Sequence, residues 1–131
     1  MMKVVHVAAG IIVRDQQVFI SKRSSAQHQG DKWEFPGGKV ESGESVLEAL
    51  TRELKEEVDL DVMNAQAFHQ LEFDYGDKIV QLDFYLVDKF EGVGKGLEGQ
   101  QTAWINISEL ADYNFPAANQ VIVEMLMTQF A

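Results

Sequence analysis

The stretch that decides the fold is EFPGGKVESGESVLEALTRELKEEVDLDV, running from Glu34 to Val62. Apolar residues at Val46, Leu47, Leu50, Leu54 and Val58 have helical spacing and predict an amphipathic helix over Glu44 to Val58. Leu47, Leu50, Leu54 and Val58 define its expected buried face. Ahead of it, Phe35-Pro36-Gly37-Gly38 is a breaker cluster where the backbone is expected to turn. Glu53, Glu56 and Glu57 stand at i, i+3 and i+4, together on another side of the helix. Like charges about 5 Å apart repel by roughly 3 kcal/mol at an effective dielectric of about 20, and by under about 1 kcal/mol in open water. The negative end of the helix dipole disfavours them further. A solvated acidic face is the simplest account of Glu-x-x-Glu-Glu taken alone.

Outward from this stretch, Val4 to Arg14 and Val18 to Arg23 read as strands of a hairpin joined by Asp15-Gln16-Gln17. Ser24 to Lys32 is polar and loop-like. Ala67 to Phe73 and Ile79 to Phe90 predict a second hairpin around Tyr75-Gly76-Asp77-Lys78. Glu91 to Gln101 carries four glycines and reads as a loop, and Ala103 to Ile107 as a short strand. Ala117 to Phe130 predicts a closing helix, with Pro116 where proline is tolerated. With no repeat, linker or composition break, residues 1–131 are expected to form one mixed α/β domain.

Composition narrows the function classes. A formal net charge of −10 argues against nucleic-acid polymers and anionic membranes as partners, since both require a basic footprint. A small anionic substrate is compatible only if cations accompany it. There is no cysteine, hence neither a disulfide framework nor a thiolate metal site. Hydrophobic content of 46% with 24% charged residues is that of a folded chain rather than a disordered one. Val4 to Val13 is apolar enough to imitate a signal-peptide core, but only Lys3 precedes it with a charge, and strand-like sequence continues beyond. A cytoplasmic location is expected.

The order Gly38, five residues, Glu44, seven residues, then Arg52-Glu53-Leu54-x-Glu56-Glu57-x-Asp59-Leu60 resembles the signature of the Nudix hydrolases. Asp59 is the one departure, standing where that signature usually has glycine. Glu34 to Lys39, Leu71-Glu72-Phe73, Leu82 to Phe90, Glu98-Gly99-Gln100 and Phe115-Pro116-x-Ala118-Asn119 are similar to the MutT-type branch of the family, from about Met2 to Ile122. The resemblance implies an α/β/α sandwich with a mixed sheet and a loop–helix–loop metal platform. It also implies hydrolysis of 8-oxo-dGTP to 8-oxo-dGMP and pyrophosphate, with Mg2+, or Mn2+ in its place, as cofactor. A free nucleotide is the implied partner, and a monomer the expected state. Hard oxygen ligands at i, i+3 and i+4 suit such a cation, which also offsets the glutamates' repulsion.

The same resemblance implies the roles of individual residues. Gly37, Glu53, Glu56, Glu57 and Glu98 would hold metal, with either Glu53 or Glu98 as the base. Arg52 would orient a glutamate, and Glu44 would support the loop. Arg23, His28, Glu34, Phe35, Pro36, Gly37, Gly38, Lys39, Asp77 or Lys78, and Asn119 would surround the substrate. Asp59 at the helix end should tolerate the left-handed conformation at a cost on the order of 1 kcal/mol.

Asn119 has a physical argument of its own. Oxidation at C8 turns guanine N7 from an acceptor into an N–H donor and leaves O6 an acceptor. One amide can satisfy that pair with its oxygen and its NH2. Against ordinary guanine the amide oxygen meets a lone pair, which costs about 1–3 kcal/mol. Each residue also has a plainer reading: Asn119 as an N-cap, Glu98 as a solvated loop carboxylate, Arg23 as a strand-edge charge, His28 as a loop residue. Hydrolysis of another nucleotide, such as a pyrimidine triphosphate, and a non-catalytic nucleotide-binding module are the rival functions.

Overall fold

The computed structural model describes residues 3–23 and 31–130. Seven strands make one mixed sheet: β1 (Lys3–Arg14), β2 (Gln17–Lys22), β3 (Trp33–Glu34), β4 (Gly37–Lys39), β5 (Asp61–Asp74), β6 (Lys78–Glu91) and β7 (Thr102–Asn106). Helix α1 (Val46–Val58) packs on one face of it and α2 (Ala117–Phe130) on the other, the latter preceded by a 3-10 turn over Ile107–Asp112. The result is the layered α/β/α arrangement with a mixed sheet that was expected.

Hairpins account for the local pairings. Asp15 and Gln16 both have positive φ, 53° and 67°, so β1 and β2 are joined by the type of two-residue turn whose twist suits a hairpin. β5 and β6 pair antiparallel along nearly their whole length, with register shifts between Val62 and His69. Central β1 alternates its sides: Ala8 and Ile12 face α1, while Ala9 and Ile11 join the core beneath α2.

The pairing that organises the molecule is not local. β1 runs parallel to β6 from Lys3↔Lys78 to Ile12↔Val87 and so uses up one of its edges. On the other edge it is shared: Ile12–Arg14 pair with β2, and Val7–Ala9 with β4. Gly37–Lys39 is therefore a short strand rather than the turn expected there, and the change of direction falls at Pro36. A Cβ at Gly37 would sit 2.0 Å from the Ala8 carbonyl oxygen, so only glycine lets β4 approach this closely.

Helix α1 starts two residues later than expected, because Ser45 is its N-cap. The Ser45 hydroxyl accepts from the Glu48 N–H at 3.1 Å, and the Glu48 carboxylate accepts from the Ser45 N–H at 2.8 Å. Its end falls at Asp59, in the left-handed conformation (φ 56°, ψ 44°) that the sequence suggests. Lys55 Nζ donates to Asp59 Oδ1 at 3.2 Å, tying that residue to the last turn. The buried face needs one correction. It consists of Ala49, Leu50, Leu54 and Val58, whereas Leu47 is 42% exposed. Leu47 has helical spacing, but at the first turn it is Val46 that packs against the core cluster on this side of the sheet.

None of the described helices is long and apolar enough to cross a membrane. In urea unfolding, Leu50→Ala is expected to cost about 2–5 kcal/mol and Leu47→Ser under about 0.5 kcal/mol. Equal costs would contradict the assigned helix face.

Candidate active site

The shared edge of β1 opens a cleft of about 220 Å3. Val5, Val7 and Ala9 of β1 and Val80 and Leu82 of β6 line it, together with Phe35, Tyr75, Pro116 and the polar Asn119. Gly37, Gly38 and Glu57 border it on the α1 side, with Arg23, Glu34, Lys39 and Lys78 around it. Local structure explains each placement. β4 carries Gly37 and Gly38 beside α1, so closely that a Cβ on Gly38 would lie 2.3 Å from the Glu53 carboxylate. Phe35 stacks on Phe115, centroids 5.3 Å apart and planes 22° apart, which fixes the loop ahead of α2.

Glu57 lies where a carboxylate ionises reluctantly. Burial, and after it the charges of Glu53, Glu34 and Glu98, push its pKa up to about 8, opposed only by a hydrogen bond from the Gly37 N–H. Four carboxylates therefore share one electrostatic neighbourhood. Glu34 is likewise raised by burial, against the favourable pairing of its carboxylate with Arg23. On the cationic side, burial lowers the pKa of Lys78, with Arg23, Lys39 and Lys3 adding to the effect and Asp77 opposing it.

Arg52 anchors the acidic helix to its preceding loop. Its Nε and Nη2 donate to the two Glu44 carboxylate oxygens at 2.7 and 2.9 Å. Its Nη1 donates to Glu53 Oε1 at 2.8 Å and to Glu56 Oε2 at 3.3 Å, and Nη2 also reaches the Lys39 carbonyl at 3.2 Å. The Arg52 guanidinium and the Glu41 N–H together hold Glu44 down at about 2. Glu53 is thus oriented and largely buried, at 16% side-chain exposure, while Glu56 at 58% faces solvent.

Glu98 is exposed, in a loop strapped across the end of α1. The Leu97 N–H and Gln100 Nε2 both donate to the Glu57 carbonyl, at 2.9 and 3.1 Å, and the Lys95 N–H to that of Val58 at 3.0 Å. The Gln100 side chain also accepts from the Glu98 N–H at 2.9 Å. These bonds satisfy helix-end carbonyls that would otherwise lack partners, and they deliver Glu98 to the acidic group. A polar lining of Lys22, Arg23, Asp31 and Glu98 continues from there.

Asn119 is the third residue of α2, not the one preceding it, so it does not occupy the N-cap position. It is 9% exposed, lines the cleft, and its amide has no hydrogen-bond partner among the described residues. An unpaired buried amide costs about 1–3 kcal/mol, which a ligand supplying donor and acceptor would recover.

Of the residues singled out from sequence, the cleft gathers Arg23, Glu34, Phe35, Gly37, Gly38, Lys39, Glu57, Lys78 and Asn119. Pro36, Asp77, Glu53, Glu56, Glu98 and Arg52 do not line it, and His28 lies outside the described residues. Tyr75, which reads only as part of a turn, and Gln100, which stands only within the family-like stretch Glu98 to Gln100, receive no role from the sequence. Nothing local marks either, because each acts through a contact formed only on folding. The donor set is made of hard oxygens and carries excess negative charge, so it fits a divalent cation in kind. Among the described residues, however, no three such side chains converge into a ligand cage.

Residues 7–125 match the family of the NUDIX domain. The chain belongs to the Nudix family. The 8-oxo-dGTP diphosphatase of Escherichia coli K12 is 38% identical over 95% of this chain and 98% of its own. That of Haemophilus influenzae is also 38% identical, over 97% and 94%. The CTP pyrophosphohydrolase of E. coli K12 is 34% identical over 96% and 93%. A solved structure from a study of MutT of Aliivibrio salmonicida and Vibrio cholerae superposes with a TM-score of 0.86 at 43% identity, covering 97% of this Nudix chain and 99% of the other.

The raised pKa of Glu57 gives a signed expectation. Between the ordinary value of 4.5 and about 8 the folded state holds a proton that the unfolded chain releases. This contribution to stability is therefore full below 4.5 and lost as pH rises through 8. In chelator-treated protein, Glu57→Gln should flatten the fall in the urea midpoint across that interval. An unchanged pH slope would place the Glu57 carboxyl in ordinary solvent.

Proposed function

We propose that this protein, as one Nudix domain over residues 1–131, hydrolyses 8-oxo-dGTP to 8-oxo-dGMP and pyrophosphate in the cytoplasm. It acts as a monomer on free nucleotide. The observation that carries the substrate is the buried Asn119 amide, unpaired among the described residues, in the same cleft that Glu57 borders. A purine whose N7 bears a proton and whose O6 accepts would fill both halves of that amide. The names of the relatives point the same way.

Glu53, Glu57 and Glu98, with the Gly37 carbonyl and with Glu56 at the rim, would hold Mg2+, or Mn2+ in its place. When bound, the cation would neutralise charge on the phosphate oxygens and admit an anionic substrate to an acidic site. The chain's own residues do the rest. Arg23, Lys39 and Lys78 attract the phosphates. Glu53, oriented by Arg52, or Glu98 takes a proton from water as its oxygen attacks the β-phosphorus in line. The bond from that phosphorus to the oxygen shared with the α-phosphorus breaks, that oxygen leaving on the monophosphate and the β- and γ-phosphates as pyrophosphate. Glu34 through Gly38, with Phe35 held against Phe115, shape the wall beside the nucleotide. Asp77 sits next to Lys78 at the hairpin tip and tempers its charge.

Comparison of kcat/KM across 8-oxo-dGTP, dGTP, CTP, 5-methyl-dCTP and ADP-ribose tests the assignment. 8-oxo-dGTP should lead. A lead by CTP would instead support the activity named for the E. coli CTP relative, and binding without any turnover would support a non-catalytic module. Glu53→Gln and Glu57→Gln are expected to lower kcat by roughly a thousandfold, and a chelator to abolish turnover. Asn119→Ala should reduce the preference for 8-oxo-dGTP over dGTP by roughly 5- to 150-fold, matching about 1–3 kcal/mol. Parallel losses on the two substrates would contradict the amide's role.

A further inference from the structure

We infer that Tyr75 is a positioning residue for substrate discrimination: its hydroxyl, anchored on the β5–β6 hairpin, sets the place of the Asn119 amide. The inference rests on the substrate reading given above.

The observation is a tether between two distant parts of the chain. The Tyr75 hydroxyl accepts a hydrogen bond from the Ala118 N–H at 3.2 Å, across 43 positions of sequence. Ala118 is the residue immediately before Asn119. The N–H groups at the start of a helix lack partners within it, and Pro116 cannot supply a capping side chain. The Asn119 and Gln120 N–H groups fall back on the Pro116 carbonyl at 2.9 and 3.2 Å. Tyr75 is thus the side chain that caps this turn from outside the helix.

Packing alone would not give the same precision. Ala118, Ile122, Val123 and Leu126 bury α2 against the sheet through apolar contacts, which fix depth but tolerate small rotations. Rotation of the first turn by several degrees displaces the end of the Asn119 side chain by about half an ångström. A site must hold a recognition group to within about 0.5 Å of its productive place. The Tyr75 ring is itself fixed, packing against Phe73 with centroids 4.8 Å apart, and the Tyr75 N–H bonds to the Lys78 carbonyl at 2.9 Å across the hairpin. Rigid sheet, tyrosine hydroxyl, helix N-terminus and base-reading amide thus form one chain of contacts. The same hairpin presents Lys78 to the cleft, so cationic and base-reading groups are registered to one another.

Tyr75→Phe removes only the hydroxyl and is expected to fold. In it, the ratio of kcat/KM for 8-oxo-dGTP over dGTP should fall at least fivefold, chiefly through a higher KM for 8-oxo-dGTP rather than a lower kcat. In 15N NMR spectra of the ligand-free protein, the Asn119 side-chain NH2 resonances should shift or broaden. An undiminished ratio in the folded variant, whatever its Tm, would overturn the inference, since a merely structural hydroxyl changes stability alone. If the wild-type protein shows no preference for the oxidised base, the substrate reading fails, and the Asn119 resonances then decide the tether by themselves: unmoved signals overturn it and shifted signals support it.

Discussion

Burial of the Glu57 carboxylate among other carboxylates is the constraint to which the rest of this molecule answers. A half-buried glutamate facing Glu53, Glu34 and Glu98 destabilises its own charged form enough to raise its pKa to about 8. No stable protein needs such a group for its core. The scaffold nevertheless goes to some length to keep it there. A glycine strand is pressed to within a carbonyl's reach of β1, Arg52 holds the flanking acids, and a loop is tied to the helix end by three hydrogen bonds. That expenditure is intelligible if the acids meet a cation.

The two ends of the cleft are built by different physics. At the α1 end, geometry is set by charge-assisted bonds from one guanidinium and by backbone donors closing on helix carbonyls. At the α2 end, it is set by stacked aromatics and one tyrosine hydroxyl, beside an amide without a partner among the described residues. Both ends hang from β1, whose parallel union with β6 supplies the floor between them. A shift of β1 by one residue would move Ala9 from the cleft to the α1 layer and take β4 with it.

Much of this was legible in the sequence because it is written locally. Helical spacing located α1 and α2, turn residues located both hairpins, and the position of Asp59 at the helix end announced its left-handed conformation. The spacing of Glu44, Arg52, Glu53, Glu56 and Glu57 carried the family. What escaped depends on long-range registration. β1 and β6 pair across some seventy-five residues, as Lys3↔Lys78 and Ile12↔Val87, and no periodicity reveals a partner at that distance. Gly37-Gly38 reads as a turn because glycine is a poor strand former, yet here its lack of a side chain is what permits a strand. Leu47 has the right period but falls outside the layer. Gln100 and Tyr75 look like ordinary polar and aromatic residues until the loop and the hairpin are folded against the helices they serve.

The central claim, that the Glu53–Glu57–Glu98 neighbourhood grips a divalent ion, is tested most directly by paramagnetic broadening. Substoichiometric Mn2+ added to the 15N-labelled protein should first erase the amide signals of Gly37, Gly38, Glu53 to Glu57 and Leu97 to Gly99. Signals lost first elsewhere, for example around the His6–Asp83 pair on the sheet, or no selective loss at all, would contradict the account.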